Sequence, residues 1–141
     1  ATLLLNPRAG KKRALTVRDS AQAIAKELGV DLDIQVITAP GEGTTLARAA
    51  VDRGADRVIS VGGDGTLNAI AAGLVGTKVP LGIVAMGSGN GYARSQKLPL
   101  DPVKALRIAL TGTASAMDVW YLNDQLFLGT AGIGFDSRVA W

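Results

Sequence analysis

The sequence predicts an α/β fold, a three-layer, doubly wound and mostly parallel sheet. Two observations predict it. Short apolar, β-branched runs alternate with stretches whose apolar residues recur at three- and four-residue steps, the rhythm of a parallel sheet covered by helices on both faces. With 141 residues, 48% hydrophobic and 19% charged, the chain is also large enough for one real core and short for two complete domains.

Thr2 to Asn6 reads as a strand that Pro7 ends, because proline has no N–H to continue a ladder. Ala14, Val17, Ala21, Ile24 and Leu28 fall on one helical face, and Gly29 follows as the C-terminal glycine. Asp31 to Thr38 alternates as a strand and Pro40 to Gly43 turns the chain. A helix from about Thr45 to Arg53 stops at Gly54. Arg57 to Val61 is a β-branched strand, Leu67 to Leu74 a helix and Val79 to Ala85 a further strand. Asp101 caps a helix to Leu110, with Pro102 at its first position.

The last thirty or so residues break the alternation. Ser115 to Leu122 and Gln125 to Phe135 read as two strands joined at the turn pair Asn123-Asp124. Such a hairpin has no partner strands in the sequence and is expected to begin another sheet. The expected division is an α/β domain over 1–112 and the start of a second, β-rich domain, truncated, over 113–141. Left uncovered, the hairpin would promote self-association into a homo-oligomer. Met86, Met117, Trp120 and Trp141 read as packing residues.

Composition narrows the chemistry. Neither cysteine nor histidine is present, which excludes disulfides, thiol nucleophiles, cysteine zinc sites and a Ser-His-Asp triad. Few aromatics and no basic-aromatic interleaving argue against nucleic acid as a partner. The net charge is +3. The basic run Arg8, Lys11, Lys12, Arg13 and Arg18 is either a solvated helix face or a site for phosphate or anionic lipid. No apolar run approaches the roughly 20 residues of a membrane span, and the expected location is cytoplasmic, with peripheral contact to the membrane.

Three segments place small and polar residues at the carboxyl ends of strands: NPRAG (Asn6 to Gly10), GGDGT (Gly62 to Thr66) and MGSGNG (Met86 to Gly91). In an open parallel sheet ligands bind at those ends, where helix N-termini offer unpaired N–H groups. If the first, third and fourth strands are neighbours, the three loops converge. Glycines there remove every Cβ that would hold a phosphate off the backbone amides. The alternative for GGDGT alone is a tight strand-to-helix turn with Asp64 or Thr66 as N-cap. Neither a Walker A loop nor a G-x-G-x-x-G after the first strand is present.

LLLNPRAGKK, VISVGGDGTLNAIAAGL and LGIVAMGSGNGYARS, in that order and spacing, resemble the successive signatures of the diacylglycerol kinase catalytic-domain family, which includes bacterial lipid kinases, sphingosine kinases and ceramide kinases. GGDGT is also similar to loops of NAD kinases and phosphofructokinases, whose fold the resemblance implies. The flanking N-P-x-x-G and G-[ST]-x-N-x-x-A-R segments separate the lipid-kinase branch. The resemblance runs from Leu3 to about Val139, since TAGIGFDSRV is similar to the start of the family's second domain. It implies ATP and Mg²⁺ as cosubstrates, a lipid hydroxyl at a membrane surface as acceptor, and a nucleotide held between this domain and a following β-sandwich.

Carried onto these residues, the resemblance assigns Asn6, Gly10 and Thr38 to nucleotide contacts. It makes Gly62, Gly63, Asp64, Gly65, Thr66, Leu67 and Asn68 the phosphate-binding turn, faced by Ser88, Gly89 and Asn90. Asp64, the only carboxylate in the three loops, is the catalytic candidate. It would hold Mg²⁺ through water or orient the acceptor hydroxyl. Ser88, Asn90 and Asn68 add neutral donors, with turn and helix-end capping the alternative for the two asparagines, and Arg94 reads as a phosphate contact or an internal ion-pair partner. Gly91 follows Asn90 where many diacylglycerol kinases carry aspartate, in the style of sphingosine and ceramide kinases. Asp118, Asp124 and Asp136 lie in no matching motif, so the second-domain carboxylates of the bacterial members have no counterpart and the 141-residue chain alone is expected to be inactive. An NAD kinase-like small-molecule kinase and a non-catalytic nucleotide-binding module are the alternative functions.

Overall fold

The structure, a computed structural model, describes residues 1–129. Four parallel strands, β1 (Thr2–Leu5), β2 (Asp33–Val36), β3 (Val58–Gly62) and β4 (Leu81–Ala85), form a sheet in the order β2-β1-β3-β4. Leu5 lies opposite Val61, and Val61 opposite Val84, so the carboxyl ends of β1, β3 and β4 are level and adjacent. That pairing meets the condition under which the three loops converge.

Helices cover both faces. Leu3, Leu5, Ile59 and Val61 point to one side, against α1 (Ala14–Leu28) and α5 (Pro102–Thr111). Leu4 and Val58 point to the other, against α2 (Glu42–Asp52) and α3 (Asp64–Leu74). Burying one such leucine or isoleucine contributes about 1.5–3 kcal/mol. The expected face of α1 is buried at Ala14, Val17, Ala21 and Ile24, with Leu28 packed against it. Gly29 ends α1 in the left-handed region at φ 66, and Val30 N–H returns to the Ala25 carbonyl at 2.8 Å, satisfying a terminal acceptor. Asp101 Oδ1 accepts from Lys104 N–H at 2.9 Å and caps α5 as expected.

Several boundaries move. β2 is shorter than the predicted run and α2 starts at Glu42, three residues early. α3 likewise starts at Asp64 rather than Leu67: its first turn lies inside GGDGT, and its N-cap is Gly63, not Asp64 or Thr66. Glycine propensity argued against a helix there. The burial of Leu67 and Ile70 overrides it. A 3₁₀ turn over Ala9–Lys12 and the five-residue α4 (Gly91–Ser95) were not predicted; both are too short to show a period.

The C-terminal hairpin pairs β5 (Trp120–Leu122) with β6 (Gln125–Phe127), with Asn123 and Asp124 at φ 47 and 62, the backbone of a tight type I′ turn. Residues 115–119 are not strand, and the predicted extension from Thr130 to Phe135 lies outside the described residues, as does Trp141. Met86 is buried as expected. Met117 and Trp120, read as packing residues, are half and 61% exposed, because no described element covers that side of the hairpin.

Candidate functional site

At the carboxyl end of the sheet the loops enclose a cleft of about 1010 Å³. Its lining includes Asn6, Gly10, Thr38, Gly63, Gly65, Thr66, Ser88 and Asn90 from the predicted set, with Arg8 and Arg13 of the basic run beside them. A second hollow, about 800 Å³, borders the edge strand β4 and is walled largely by apolar side chains such as Leu81, Ile83 and Met117.

The first turn of α3 is the cleft's polar floor. The opening amides of a helix have no intrahelical acceptor. Here the N-cap Gly63 has no side chain to receive them, and the first closed bond is Leu67 N–H to the Gly63 carbonyl at 3.0 Å. Donors and the positive end of an 11-residue helix therefore meet the cleft. A Cβ on Gly63 would come within 3.2 Å of Gly87 Cα, and one on Gly87 within 2.7 Å of Gly63 Cα, so glycine at both positions lets two loops touch through backbone. Gly65 differs: a Cβ there would meet no protein atom within 4 Å.

The acidic residue in this turn does not face the cleft. Asp64 Oδ2 accepts from Gly91 N–H at 3.0 Å and Oδ1 from Tyr92 N–H at 3.2 Å. A carboxylate at the first helical position would repel a phosphate over the same turn. Turned aside, it caps α4 instead and locks the third loop to the second. Its role as cap of a different helix was not legible beforehand. Asn90, at φ 53, accepts from Gly87 N–H at 2.8 Å and so shapes its own loop. Arg94 Nε donates to the Gly89 carbonyl at 2.9 Å, which is neither of its expected roles.

Asn6 connects the first loop to the second. Its Oδ1 accepts from Arg8 N–H at 3.0 Å, which fixes the amide orientation, and its Nδ2 donates to Thr66 Oγ1 at 2.8 Å. The Thr66 hydroxyl proton is left to donate elsewhere. Across the cleft, Thr38 has a partner that the sequence reading missed. Glu42 Oε2 accepts from Thr38 N–H at 2.6 Å, from Thr38 Oγ1 at 2.9 Å and from Ala39 N–H at 3.1 Å. Those bonds, Thr38 amide and hydroxyl first, lower the Glu42 carboxyl below its ordinary value of 4.5. Threonine followed by glutamate across a Pro-Gly turn was the available signal, a variant of the capping box.

Gly62, Leu67, Asn68 and Gly89, also predicted, do not line the cleft. Gly62 and Leu67 are buried. Asn68 Oδ1 accepts from Leu128 N–H at 3.0 Å, holding α3 to the segment after the hairpin. Among the described residues no three Asp, Glu, His or Cys side chains cluster as a metal site. With Asp64 as the one carboxylate in the three loops, these residues do not by themselves build a first coordination sphere for Mg²⁺.

The sequence profile described as Diacylglycerol kinase catalytic domain matches residues 1–122. A protein of Chromohalobacter salexigens named "Probable lipid kinase YegS-like" is 38% identical over 97% of this chain and 44% of its own length. A diacylglycerol kinase of Mycobacterium tuberculosis is 35% identical over 98% of this chain and 47% of its own length. The crystal structure of a diacylglycerol kinase from Bacillus anthracis superposes with a TM-score of 0.75 at 26% identity, covering 89% of this chain and 47% of that one. The chain thus spans about half the length of the relatives it matches.

Proposed function

This chain belongs to the diacylglycerol kinase catalytic-domain family, and we propose that it supplies the ATP-binding half of a lipid kinase that transfers the γ-phosphoryl group to a lipid hydroxyl. The observation that carries the reading is the uncapped N-terminus of α3, opening into a cleft where the glycines leave backbone amides bare. A polyphosphate fits that floor: the amides from Asp64 to Thr66 and the Thr66 hydroxyl would donate to it, and Arg8 and Arg13 would neutralise it from the rim. ATP would arrive as its Mg²⁺ complex.

Phosphoryl transfer depends mainly on positioning and electrostatics. In this reading Asp64 is the carboxylate on which the active arrangement depends, because its two bonds hold the third loop against the phosphate-binding turn. The lipid acceptor would be diacylglycerol- or sphingosine-like, met at a membrane surface. Among the described residues no helix is long and apolar enough to cross a membrane. Residues 1–112 would form the nucleotide domain and the hairpin would open a second, β-rich one, whose sheet would cover the exposed Trp120, Tyr121 and Leu122.

The test is transfer of labelled phosphate from ATP by the intact protein. Incorporation into dispersed diacylglycerol or sphingosine, reduced about 10²-fold or more by Asp64→Asn, is expected. Incorporation into NAD instead would place the protein with the small-molecule kinases. Tight ATP binding without turnover on any acceptor would make it a binding module.

A further inference from the structure

The hydrogen-bond polarity of the cleft's two threonines is opposite, and it is set by their partners. Thr66 Oγ1 receives the Asn6 Nδ2 proton, so toward a ligand it acts as a donor. Thr38 Oγ1 faces a carboxylate oxygen, and a carboxylate only accepts, so the Thr38 proton is committed to Glu42 Oε2. What Thr38 offers the cleft is a lone pair. A phosphate oxygen gains nothing from a lone pair. An N–H or O–H on a ligand does.

We infer that Glu42 is a positioning residue: by holding Thr38 and Ala39 on one oxygen it fixes the loop after β2 and makes Thr38 an acceptor for a nucleoside donor, so that the cleft selects nucleotides by an N–H or O–H at that wall. The inference rests on the nucleotide reading above and adds a direction to it. Phosphates lie over Thr66 and the α3 N-terminus, the nucleoside lies toward Thr38, and Glu42 controls the second contact without lining the cleft. The loop it ties needs such an anchor. Thr38, Ala39, Pro40 and Gly41 are all exposed, and Gly41 is left-handed at φ 80. Glu42 opens α2 at the N-terminal turn, where an acidic side chain is favoured. Two chemistries can supply the donor, the purine 6-amino group or a ribose hydroxyl.

The experiment measures nucleotide affinity, KM and kcat for the intact protein, its Glu42→Ala and Glu42→Gln variants, and Thr38→Val. The probes are ATP, ITP, 2′-deoxy-ATP and 3′-deoxy-ATP. Wild type is expected to prefer ATP over either ITP or one of the deoxynucleotides by about tenfold, the worth of one hydrogen bond. The arm that shows the preference identifies the donor. In Glu42→Ala the loop after β2 loses its anchor and the Thr38 hydroxyl is no longer held in place as an acceptor, so that preference should collapse toward unity, with the KM for ATP raised about tenfold and kcat changed less than about twofold. Glu42→Gln, which keeps an acceptor but not the charge, should fall between. Thr38→Val should lose the preference with Glu42 intact. A loop stabilised for folding alone would lower Tm without changing selectivity. Wild type that binds all four nucleotides equally, or a preference that survives Glu42→Ala, overturns the inference while leaving ATP binding in place. No ATP binding by wild type overturns the nucleotide reading itself.

Discussion

From Leu3 to Leu5 and from Val58 to Val61 the chain is sealed in apolar contacts, with each of these leucines, valines and isoleucines fully buried. Just beyond these segments the packing gives way to hydrogen bonds, between separate loops from Asn6 to Thr66 and from Asp64 to Gly91 and Tyr92, and within the loop after β2 from Glu42 to Thr38 and Ala39. The first kind of contact is non-directional and shared among many neighbours, so it fixes where the strands lie and little else. The second is directional, and each bond has one partner. It decides which donors and acceptors face the cleft. Stability and recognition are therefore carried by adjoining residues of the same strands, and substitutions should separate them.

Gly65→Val should separate them furthest. Its Cβ would meet no protein atom within 4 Å, and valine costs a helix less than glycine, so Tm should hold or rise slightly. The branched side chain would occupy the phosphate's place, and ATP affinity measured by calorimetry should fall about 100-fold or more, the loss expected when several phosphate contacts of about 1–3 kcal/mol each are denied. Unchanged affinity would mean that ligands do not approach this turn. Leu106→Ala is the converse. Leu106 is fully buried between α5 and the sheet, and its truncation should cost about 2–5 kcal/mol in denaturant unfolding while the folded protein keeps its affinity for ATP. A variant that loses stability and affinity in parallel would show that the core and the cleft are one unit.

The smallest effect is expected from surface carboxylates. Arg107 bonds both oxygens of Glu27, at 3.0 and 2.8 Å, tying α5 to α1, and this lowers the Glu27 carboxyl below 4.5. Because the folded value lies below the unfolded one, the contribution is complete above about pH 4.5 and is lost as pH falls through the folded value. Glu42 behaves in the same sense. Tm should be level from pH 7 to about 5 and fall below about 4.5, less steeply in Glu27→Gln. A Glu27→Gln profile superimposable on wild type would remove that pair from the account.

The same contrast explains what the sequence disclosed. The period of Ala14, Val17, Ala21 and Ile24, the stop at Gly29, the Asp101 cap and the Asn123-Asp124 turn are local signals, and each matches the structure. Strand-helix alternation pointed to the parallel sheet but left the neighbouring order of β1, β3 and β4 as a condition, which the observed order β2-β1-β3-β4 meets. Less legible were the contacts that orient the site. Asp64 reaches amides 27 and 28 residues away and Asn68 an amide 60 residues away, and such pairings depend on how loops settle once the sheet exists. A carboxylate in a glycine-rich turn looks catalytic in isolation; only the position of α4 shows what its oxygens hold. Glu42, only four residues after Thr38, is by contrast a local contact, and a Thr-to-Glu spacing across the Pro40-Gly41 turn is its signal in the sequence.

Whether phosphates sit on the first turn of α3 is read most directly from a titration of the isotopically labelled intact protein with ATP, followed through its backbone amide resonances. The largest shifts are expected on the amides of Gly63 to Thr66, with smaller ones at Thr38 and Ser88, and Gly65→Val should remove them all. Saturable shifts concentrated instead at Leu81, Ile83 and Met117, around the hollow beside β4, with Gly63 to Thr66 unmoved, would contradict it.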